Sequence, residues 1–196
     1  ILMNGRGGFI MAGSPPGPTP NGPTQTGRPK RADASAEPLA MTQKPLAILQ
    51  MGRPPEDLRA SHGEQGDWVT AALTGLDVPL TIEYPADGHA LPDPARLRGA
   101  VLTGSWSMVT DREPWSERTE QWLREALDAQ LPLLGICYGH QLMAHAFGGV
   151  VDYHPRGREI GLHTVRRLPA SHDDPLLAGL PDHFAAHLTH CLLYTS

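Results

Sequence analysis

An apolar run that ends at a single cysteine between two glycines most constrains what this chain can fold into. Residues 131–136 are predicted to form a fully buried strand, Cys137 follows directly, and residues 141–147 form a helix-favouring run. A buried strand, a sharp turn and a helix in this order are typical of a nucleophile elbow, whose turn projects one side chain. Gly135 and Gly139 would let the strand and the helix approach closely. The pattern favours a nucleophilic Cys137 over a buried structural cysteine.

The environment of this cysteine also follows from the pattern. Cys137 would lie at the N-terminus of the following helix, where the macrodipole and free N–H groups favour thiolate over thiol. The chain has two cysteines, Cys137 and Cys191, which are too few for a disulfide framework. A reactive thiolate fits a reducing compartment, so we expect a cytoplasmic protein.

Strand and helix patterns alternate along most of the chain. A parallel α/β sheet with helices on both faces is therefore expected, and its ligands should bind at the carboxyl ends of the strands. The strongest helix pattern begins at a proline and places Trp115, Trp122, Leu123 and Leu127 at helical spacing. Strands are predicted at residues 45–51, 80–84, 99–103, 131–136, 148–151 and 161–168, the last of them antiparallel, and helices at 67–73 and 114–128.

Composition separates the first forty residues from the rest. Residues 1–40 contain seven prolines and seven glycines, a composition that predicts disorder and an inert tail. Residues 41–196 are long enough for one globular domain, and Met41 is a plausible start for it.

Several classes of function are not expected. A net charge of −5 without a basic patch argues against a nucleic-acid partner, and no apolar run is long enough to span a membrane. Glycine and proline interrupt the apolar residues near Phe9 before a signal-peptide core forms. The histidines lack cysteine or carboxylate partners at zinc spacing, so neither a metal nor a cofactor is expected.

The segment from Gly135 to Gln141, Gly-Ile-Cys-Tyr-Gly-His-Gln, resembles the signature of class I (triad-type) glutamine amidotransferases, Gly-x-Cys-x-Gly-x-Gln. The resemblance covers most of residues 45–190 and is nearest to stand-alone, GMP-synthase-like amidotransferases of bacteria. It implies a flavodoxin-like three-layer sandwich with a mostly parallel central sheet. It also implies that Cys137 attacks the side-chain amide of glutamine, forms a glutamyl thioester and releases ammonia.

The oxyanion formed in that attack needs hydrogen-bond donors. One donor is expected to be the backbone N–H of Tyr138, directly after the nucleophile. The resemblance places the second donor in a glycine-rich loop after an earlier strand, here Leu-Thr-Gly-Ser-Trp-Ser-Met from residue 102, so Gly104 is the candidate. The loop departs from the usual Gly-Gly-Pro form, and an ordinary strand-ending turn at Gly104 is the alternative.

Substrate-binding residues follow from the same resemblance. Gln141 lies one helical turn after the nucleophile and matches a glutamine that helps to hold the substrate; a polar helix residue is the alternative. Thr189 and His190 match a Ser/Asn-His segment whose backbone contacts the amino and carboxylate ends of glutamine. Glu159 resembles a family glutamate that braces the site, although a solvated charged turn would explain it equally well. His140 and His145 are expected to be structural.

A cysteine amidase also needs a histidine oriented by a carboxylate. The family supplies both from a His-Pro-Glu after the Ser/Asn-His segment, and no such motif follows here. His154-Pro155 matches a loop position instead, and residues 191–196 look foreign to the family, which removes Cys191 as a second functional thiol. We therefore expect a domain that is incomplete at its C-terminus and, as written, inactive.

Three functions remain open at this point. The first is a glutaminase domain that passes ammonia to a separate synthase or ligase subunit. The second is a γ-glutamyl cysteine hydrolase of the same fold, which would cleave γ-glutamyl amides without an acceptor. The third is a non-catalytic pseudoenzyme or interaction domain that keeps only the fold.

Overall fold

A computed structural model describes residues 2–4, 8–9, 43–168, 177 and 179–195. Its centre is a sheet of four parallel strands in the spatial order β6-β5-β3-β4. These strands are β3 (Leu46–Leu49), β4 (Leu80–Glu83), β5 (Gly99–Leu102) and β6 (Leu133–Gly135). The predicted mostly parallel α/β sheet is confirmed, with each of these strands inside its predicted range.

Burial explains why these short segments form strands. All four residues of β5 are buried, as are three of the four in β3, where Ala47, Ile48 and Leu49 have no exposed surface. Strands covered on both faces lose the alternation of apolar and polar residues and become continuous apolar runs. Such runs are the pattern that the sequence shows at β3 and β5.

In the described part of the chain, four α-helices connect and cover the strands. The longest, α3, begins at a proline, for which a missing N–H has no cost at the first helical position, and buries Trp115, Trp122 and Leu123. The first helix, α1, has no buried residue and lies where the sequence predicts a polar loop. The helices are α1 (Glu56–His62), α2 (Gln65–Ala72), α3 (Pro114–Asp128) and α4 (Tyr138–Ala146).

The C-terminal part of the described chain is antiparallel. A long pair joins β8 to β9, with Ile160 opposite Thr189, and a second pair joins β7 to β10. The antiparallel strand predicted near residues 161–168 is therefore confirmed. The bounds are β7 (Val150–Tyr153), β8 (Glu159–Arg166), β9 (His183–His190) and β10 (Leu192–Thr195).

Two short strands lie within the segment predicted to be disordered. β1 (Leu2–Asn4) pairs antiparallel with β6, and β2 (Gly8–Phe9) pairs with β1. The edge of β6 offers unpaired backbone groups, which explains how a segment of poor intrinsic preference can add to the sheet. The remaining residues of this segment lie outside the described part of the chain.

The order of the parallel strands reverses between β3 and β5. From β3 the chain runs outward to β4 and then returns across β3 to β5. In open parallel sheets, ligands bind at the carboxyl ends of the strands at such a switch point. The loops after β3, β5 and β6 meet at this edge of the sheet. Within the described residues, every helix is too short or too polar to cross a lipid bilayer.

Candidate active site

The predicted elbow forms at Cys137. The residue lies between β6 and α4 with φ 49° and ψ −103°, a backbone conformation that residues with a side chain rarely adopt. A β-carbon on Gly135 would lie 2.6 Å from the backbone nitrogen of His140, and one on Gly139 would lie 2.6 Å from the Leu102 carbonyl oxygen. Only glycine fits at these two positions, so the predicted close approach of strand and helix is present.

Burial works against the thiolate that the sequence leads us to expect. Burial raises the pKa of the Cys137 thiol above its ordinary value, a hydrogen bond from the Tyr138 backbone N–H lowers it, and the Cys191 thiol raises it further. Although Cys137 as a residue is exposed, its sulfur is surrounded by enough protein for the desolvation to prevail. The start of α4 therefore does not by itself ionise this cysteine at neutral pH.

Tyr138 contributes through its backbone and through its side chain. Its backbone N–H interacts with the Cys137 thiol and lowers the pKa of that thiol, so the N–H lies beside the nucleophile. Its ring is buried and stacks on Trp115 at 5.5 Å between centroids, and its hydroxyl lies 2.7 Å from Ser116 Oγ. Burial raises the pKa of Tyr138 to about 12, so the phenol stays neutral. These contacts hold the start of α4 against α3.

Gly104 lies directly beside the nucleophile. A β-carbon on Gly104 would be 3.7 Å from the Cys137 β-carbon. In the described part of the chain, no hydrogen bond occupies the N–H of Gly104 or of Ser105. The loop after β5 can therefore present a backbone donor to a group bound at Cys137.

Thr103 fixes the peptides of this loop. Its buried hydroxyl accepts a hydrogen bond from Met51 N (3.0 Å) and donates one to the carbonyl of Gly104 (3.1 Å). Its own carbonyl accepts a hydrogen bond from Gly139 N at 3.1 Å. Because a trans peptide points its N–H opposite its C=O, the Gly104 carbonyl sets the direction of the Ser105 N–H. Thr103 thus joins the ends of β3 and β5 to the elbow.

The end of β9 lies beside the nucleophile, and the roles of Thr189 and His190 in binding glutamine stay predictions. The Cys137 sulfur is 4.0 Å from the Thr189 carbonyl oxygen. Gln141 is buried, and its amide donates to the Leu192 carbonyl at 3.3 Å. In this structure Gln141 therefore contacts the segment after His190, and a role in holding substrate stays a prediction.

Glu159 connects two histidines from separate segments. Its carboxylate lies 3.2 Å from His190 Nε2 and 3.6 Å from His154 Nε2, and 3.9 Å from the Arg156 guanidinium. The carboxylate is therefore not the solvated charged turn that the sequence left open. It links the loop after β7 to the end of β9, next to the nucleophile.

Two other histidines have structural surroundings. Burial lowers the pKa of His140 to about 3, with a further contribution from the charge of His190, so its imidazole is neutral and a weak base. His145 lies 3.1 Å from the Glu120 carboxylate and near the Arg112 guanidinium. Both arrangements match the structural roles expected for these residues.

A buried polar group at the start of α2 also borders the site, and no sequence pattern indicates it. Gln65, the first residue of that helix, is 8% exposed. Its side-chain oxygen would lie 3.6 Å from a β-carbon on Gly104, on the same side as Cys137. Gln50, at the end of β3, accepts a hydrogen bond from Gly66 N at 2.8 Å and so holds this helix start in place.

A model of the class-I glutamine amidotransferase family matches residues 80–195. The match begins at β4, includes the elbow and the β8–β9 pair, and accounts for more than half of the chain. The chain belongs to the class-I glutamine amidotransferase family. The expected enzyme family is thereby confirmed.

Named relatives agree with the GMP-synthase-like resemblance. The chain is 37% identical over 113 residues to a glutamine-hydrolysing GMP synthase of Thermomicrobium roseum. The aligned residues make up 58% of this chain and 19% of that protein. It is 38% identical over 130 residues to one subunit of the glutamine-hydrolysing GMP synthase of Methanopyrus kandleri, covering 66% and 64%. The chain thus spans about a fifth of the first relative and less than two thirds of the second.

Solved amidotransferase structures share the fold. The glutamine amidotransferase of Thermotoga maritima superposes with a TM-score of 0.63 at 20% identity, over 78% of this chain and 63% of that one. The enzyme from Methylobacillus flagellatus gives a TM-score of 0.61 at 23% identity, over 79% and 58%. The expected flavodoxin-like, class I amidotransferase fold is confirmed.

Proposed function

We propose that this amidotransferase domain hydrolyses the side-chain amide of glutamine through a thioester on Cys137. The observation that carries the proposal is the elbow: a cysteine held at φ 49° with the Tyr138 backbone N–H beside its thiol. A strained turn that presents a thiol beside a backbone donor suits acyl transfer and has no evident structural purpose. The family match supports glutamine as the amide that is attacked.

The chemistry divides into two steps. The Cys137 thiolate attacks the amide carbon of glutamine, and the carbonyl oxygen becomes an oxyanion held by the Tyr138 N–H and by an N–H of the Gly104–Ser105 loop. The carbon–nitrogen bond then breaks, the nitrogen takes a proton and leaves as ammonia, and a glutamyl thioester remains. In the second step water attacks the thioester, which releases glutamate and restores the thiol.

The proton that ammonia needs must come from a group near the sulfur that first removes the proton of the Cys137 thiol and then passes it to the leaving nitrogen. Among the described residues, no histidine nitrogen hydrogen-bonds to the Cys137 sulfur. His140 is too weak a base, and both ring nitrogens of His190 face acceptors, the Glu159 carboxylate and the Leu192 carbonyl. We infer that turnover of glutamine needs a base beyond these residues, and that the described part alone forms the thioester slowly.

The fate of the ammonia depends on a partner. The relative from Methanopyrus kandleri is named as one subunit of a GMP synthase, which supports a separate acceptor-activating subunit for this domain. Glutamine would then be the substrate of this chain, and the acceptor would bind the partner. Because the thioester requires a reduced thiol, we also propose a reducing, cytoplasmic location.

Protection of Cys137 from alkylation tests the function without requiring turnover. A Cys191→Ser background leaves Cys137 as the single thiol, and iodoacetamide labelling is followed by peptide mass spectrometry. We expect L-glutamine to slow the labelling in a saturable manner, because bound substrate covers the sulfur. D-Glutamine should protect far less, and Cys137→Ser supplies the unlabelled control.

The competing functions give different results in the same assay. A γ-glutamyl hydrolase would be protected more effectively by a γ-glutamyl dipeptide than by glutamine, and it would cleave that dipeptide. A folded protein whose labelling rate is indifferent to all of these ligands would overturn the proposal and leave a non-catalytic domain.

A further inference from the structure

Gln65 is a largely buried residue beside the nucleophile, and no protein group pairs with its amide in the described part of the chain. The residue as a whole is 8% exposed, and its amide keeps some contact with solvent. A β-carbon placed on Gly104 would lie 3.6 Å from the Gln65 side-chain oxygen and 3.7 Å from the Cys137 β-carbon. The Gln65 oxygen and the nucleophile therefore border the same small space.

A second buried glutamine at this edge of the sheet shows the contrast. Gln50 accepts a hydrogen bond from Gly66 N and donates to the carbonyl of Gly52 at 3.0 Å and to Glu64 Oε2 at 2.7 Å. Buried polar groups are nearly always paired in this way, because an unpaired one loses its hydration without compensation. The Gln65 amide has no such protein partner in the described part of the chain and faces the side of the nucleophile, so a ligand bound there can pair with it.

The chemistry of the site indicates which group of the ligand that is. The carbonyl oxygen of a bound glutamine faces the N–H of Tyr138 and of the loop after β5, which leaves the amide nitrogen with two hydrogens to donate. The Gln65 oxygen is an acceptor, and it borders the same β-carbon position on Gly104 as the Cys137 β-carbon does. We propose that Gln65 accepts a hydrogen bond from the amide nitrogen of the substrate and thereby selects glutamine over glutamate. This inference rests on the function proposed above.

Selection follows from the difference between an amide and a carboxylate. Glutamate has an oxygen where glutamine has its NH₂ group, and that oxygen has no hydrogen to donate to the Gln65 oxygen. With the Gln65 oxygen directed at the ligand, as in this structure, two acceptors would then face each other without a hydrogen between them. The same repulsion would favour release of glutamate after hydrolysis.

The test compares glutamine and glutamate as protectants of Cys137 in three proteins: the Cys191→Ser background alone, with Gln65→Leu and with Gln65→Glu. Leucine is similar in size and removes the acceptor without breaking any hydrogen bond of the described structure. We expect Gln65→Leu to raise the glutamine concentration for half-protection about tenfold, as for one lost hydrogen bond, and to leave glutamate almost unchanged. Gln65→Glu keeps an acceptor and should keep the preference for glutamine.

The outcomes distinguish failure of the role of Gln65 from failure of the proposed function. If glutamine protects the background protein and Gln65→Leu equally well, the role of Gln65 is overturned while the proposed function stands. If glutamine fails to protect the background protein, both fall. The alkylation rate without ligand and the melting temperature report whether a variant has kept its fold. Should Gln65→Leu unfold, loss of the glutamine preference in a folded Gln65→Glu would equally overturn the inference.

Discussion

At the scale of single residues, Cys137 combines a strained backbone with a buried sulfur. Its positive φ costs on the order of 1–3 kcal/mol, and the surrounding hydrogen bonds must hold it in place. The N–H of Gly139, bound to the carbonyls of Thr103 and Ile136, is one such restraint. A conformation that folding maintains against this cost points to a function for the projecting side chain.

The raised pKa of Cys137 predicts how its reactivity depends on pH. Because burial favours the neutral thiol, the thiolate fraction rises with pH through a value above the ordinary thiol pKa of about 8.5. The rate of iodoacetamide labelling in the Cys191→Ser protein should rise with the same midpoint. A rate that is already constant below that ordinary value would show that the thiolate is stabilised and contradict this account.

The raised pKa of Cys137 also determines how the stability of the fold depends on pH. The unfolded chain releases the thiol proton at a lower pH than the folded chain does. The contribution of Cys137 to stability is therefore complete below the ordinary thiol pKa and decreases as the pH rises toward the raised value.

At the scale of elements, the site depends on the junction of three strand ends at Thr103. Its hydroxyl bridges the backbone after β3 and the loop after β5, and its carbonyl binds the start of α4. The direction of the oxyanion donors is thus tied to the register of the central sheet. This connection makes Thr103 a positioning residue, since it acts through the peptides that it holds.

Thr103→Val should slow acylation more than it weakens binding. The phenyl thioester of the glutamate γ-carboxylate is a suitable acyl donor, because its leaving group needs no proton. We expect acylation of Cys137 to slow about tenfold, a fraction of the loss that follows removal of an oxyanion donor, while protection by glutamine changes little. The unfolding free energy should fall by about 1–3 kcal/mol, because Met51 N loses its acceptor.

Thr103→Ser is the matched control, since it retains the hydroxyl and loses only a methyl group. It should acylate nearly as fast as the parent protein. Equal acylation by the valine and serine variants would contradict the positioning role.

The elements differ in how well they can be predicted from the sequence. Helix α3 begins and ends as predicted, because a proline marks its start and an apolar stripe marks its length. Helix α1 escapes prediction because it buries no residue and so has no stripe to detect. Strand β9 escapes prediction as a strand because its more covered face carries only two large apolar side chains, Phe184 and Leu188, which gives a weak period-two pattern in the sequence.

The residues of the site also differ in how well the sequence predicts them. Cys137 and Tyr138 follow from a local pattern, a strand, a turn and a helix that are continuous in sequence. Gln65 and Glu159 gain their surroundings only when distant segments meet at the carboxyl edge of the sheet. A local sequence pattern does not show which distant segments come into contact. The sequence therefore leaves the role of Glu159 open and does not single out Gln65.

At the scale of the whole molecule, the parallel sheet explains why these residues meet. The carboxyl ends of β3, β5 and β6 bring Gln50, Thr103 and Cys137 to one edge, and the β8–β9 pair places Thr189 over the nucleophile. The chain spans only part of the length of these relatives. In the function proposed above, the step assigned to this chain is the uptake of a glutamyl group on Cys137.

The most direct test of that claim is detection of the glutamyl group on Cys137. The chain is incubated with the γ-phenyl thioester of L-glutamate or of its D-enantiomer, quenched in acid and mapped by mass spectrometry. The account predicts an adduct on Cys137 that forms much faster from the L-enantiomer, is removed by hydroxylamine and is absent in Cys137→Ser. Slow labelling of Cys137 and Cys191 alike, with no preference between the enantiomers, would contradict it.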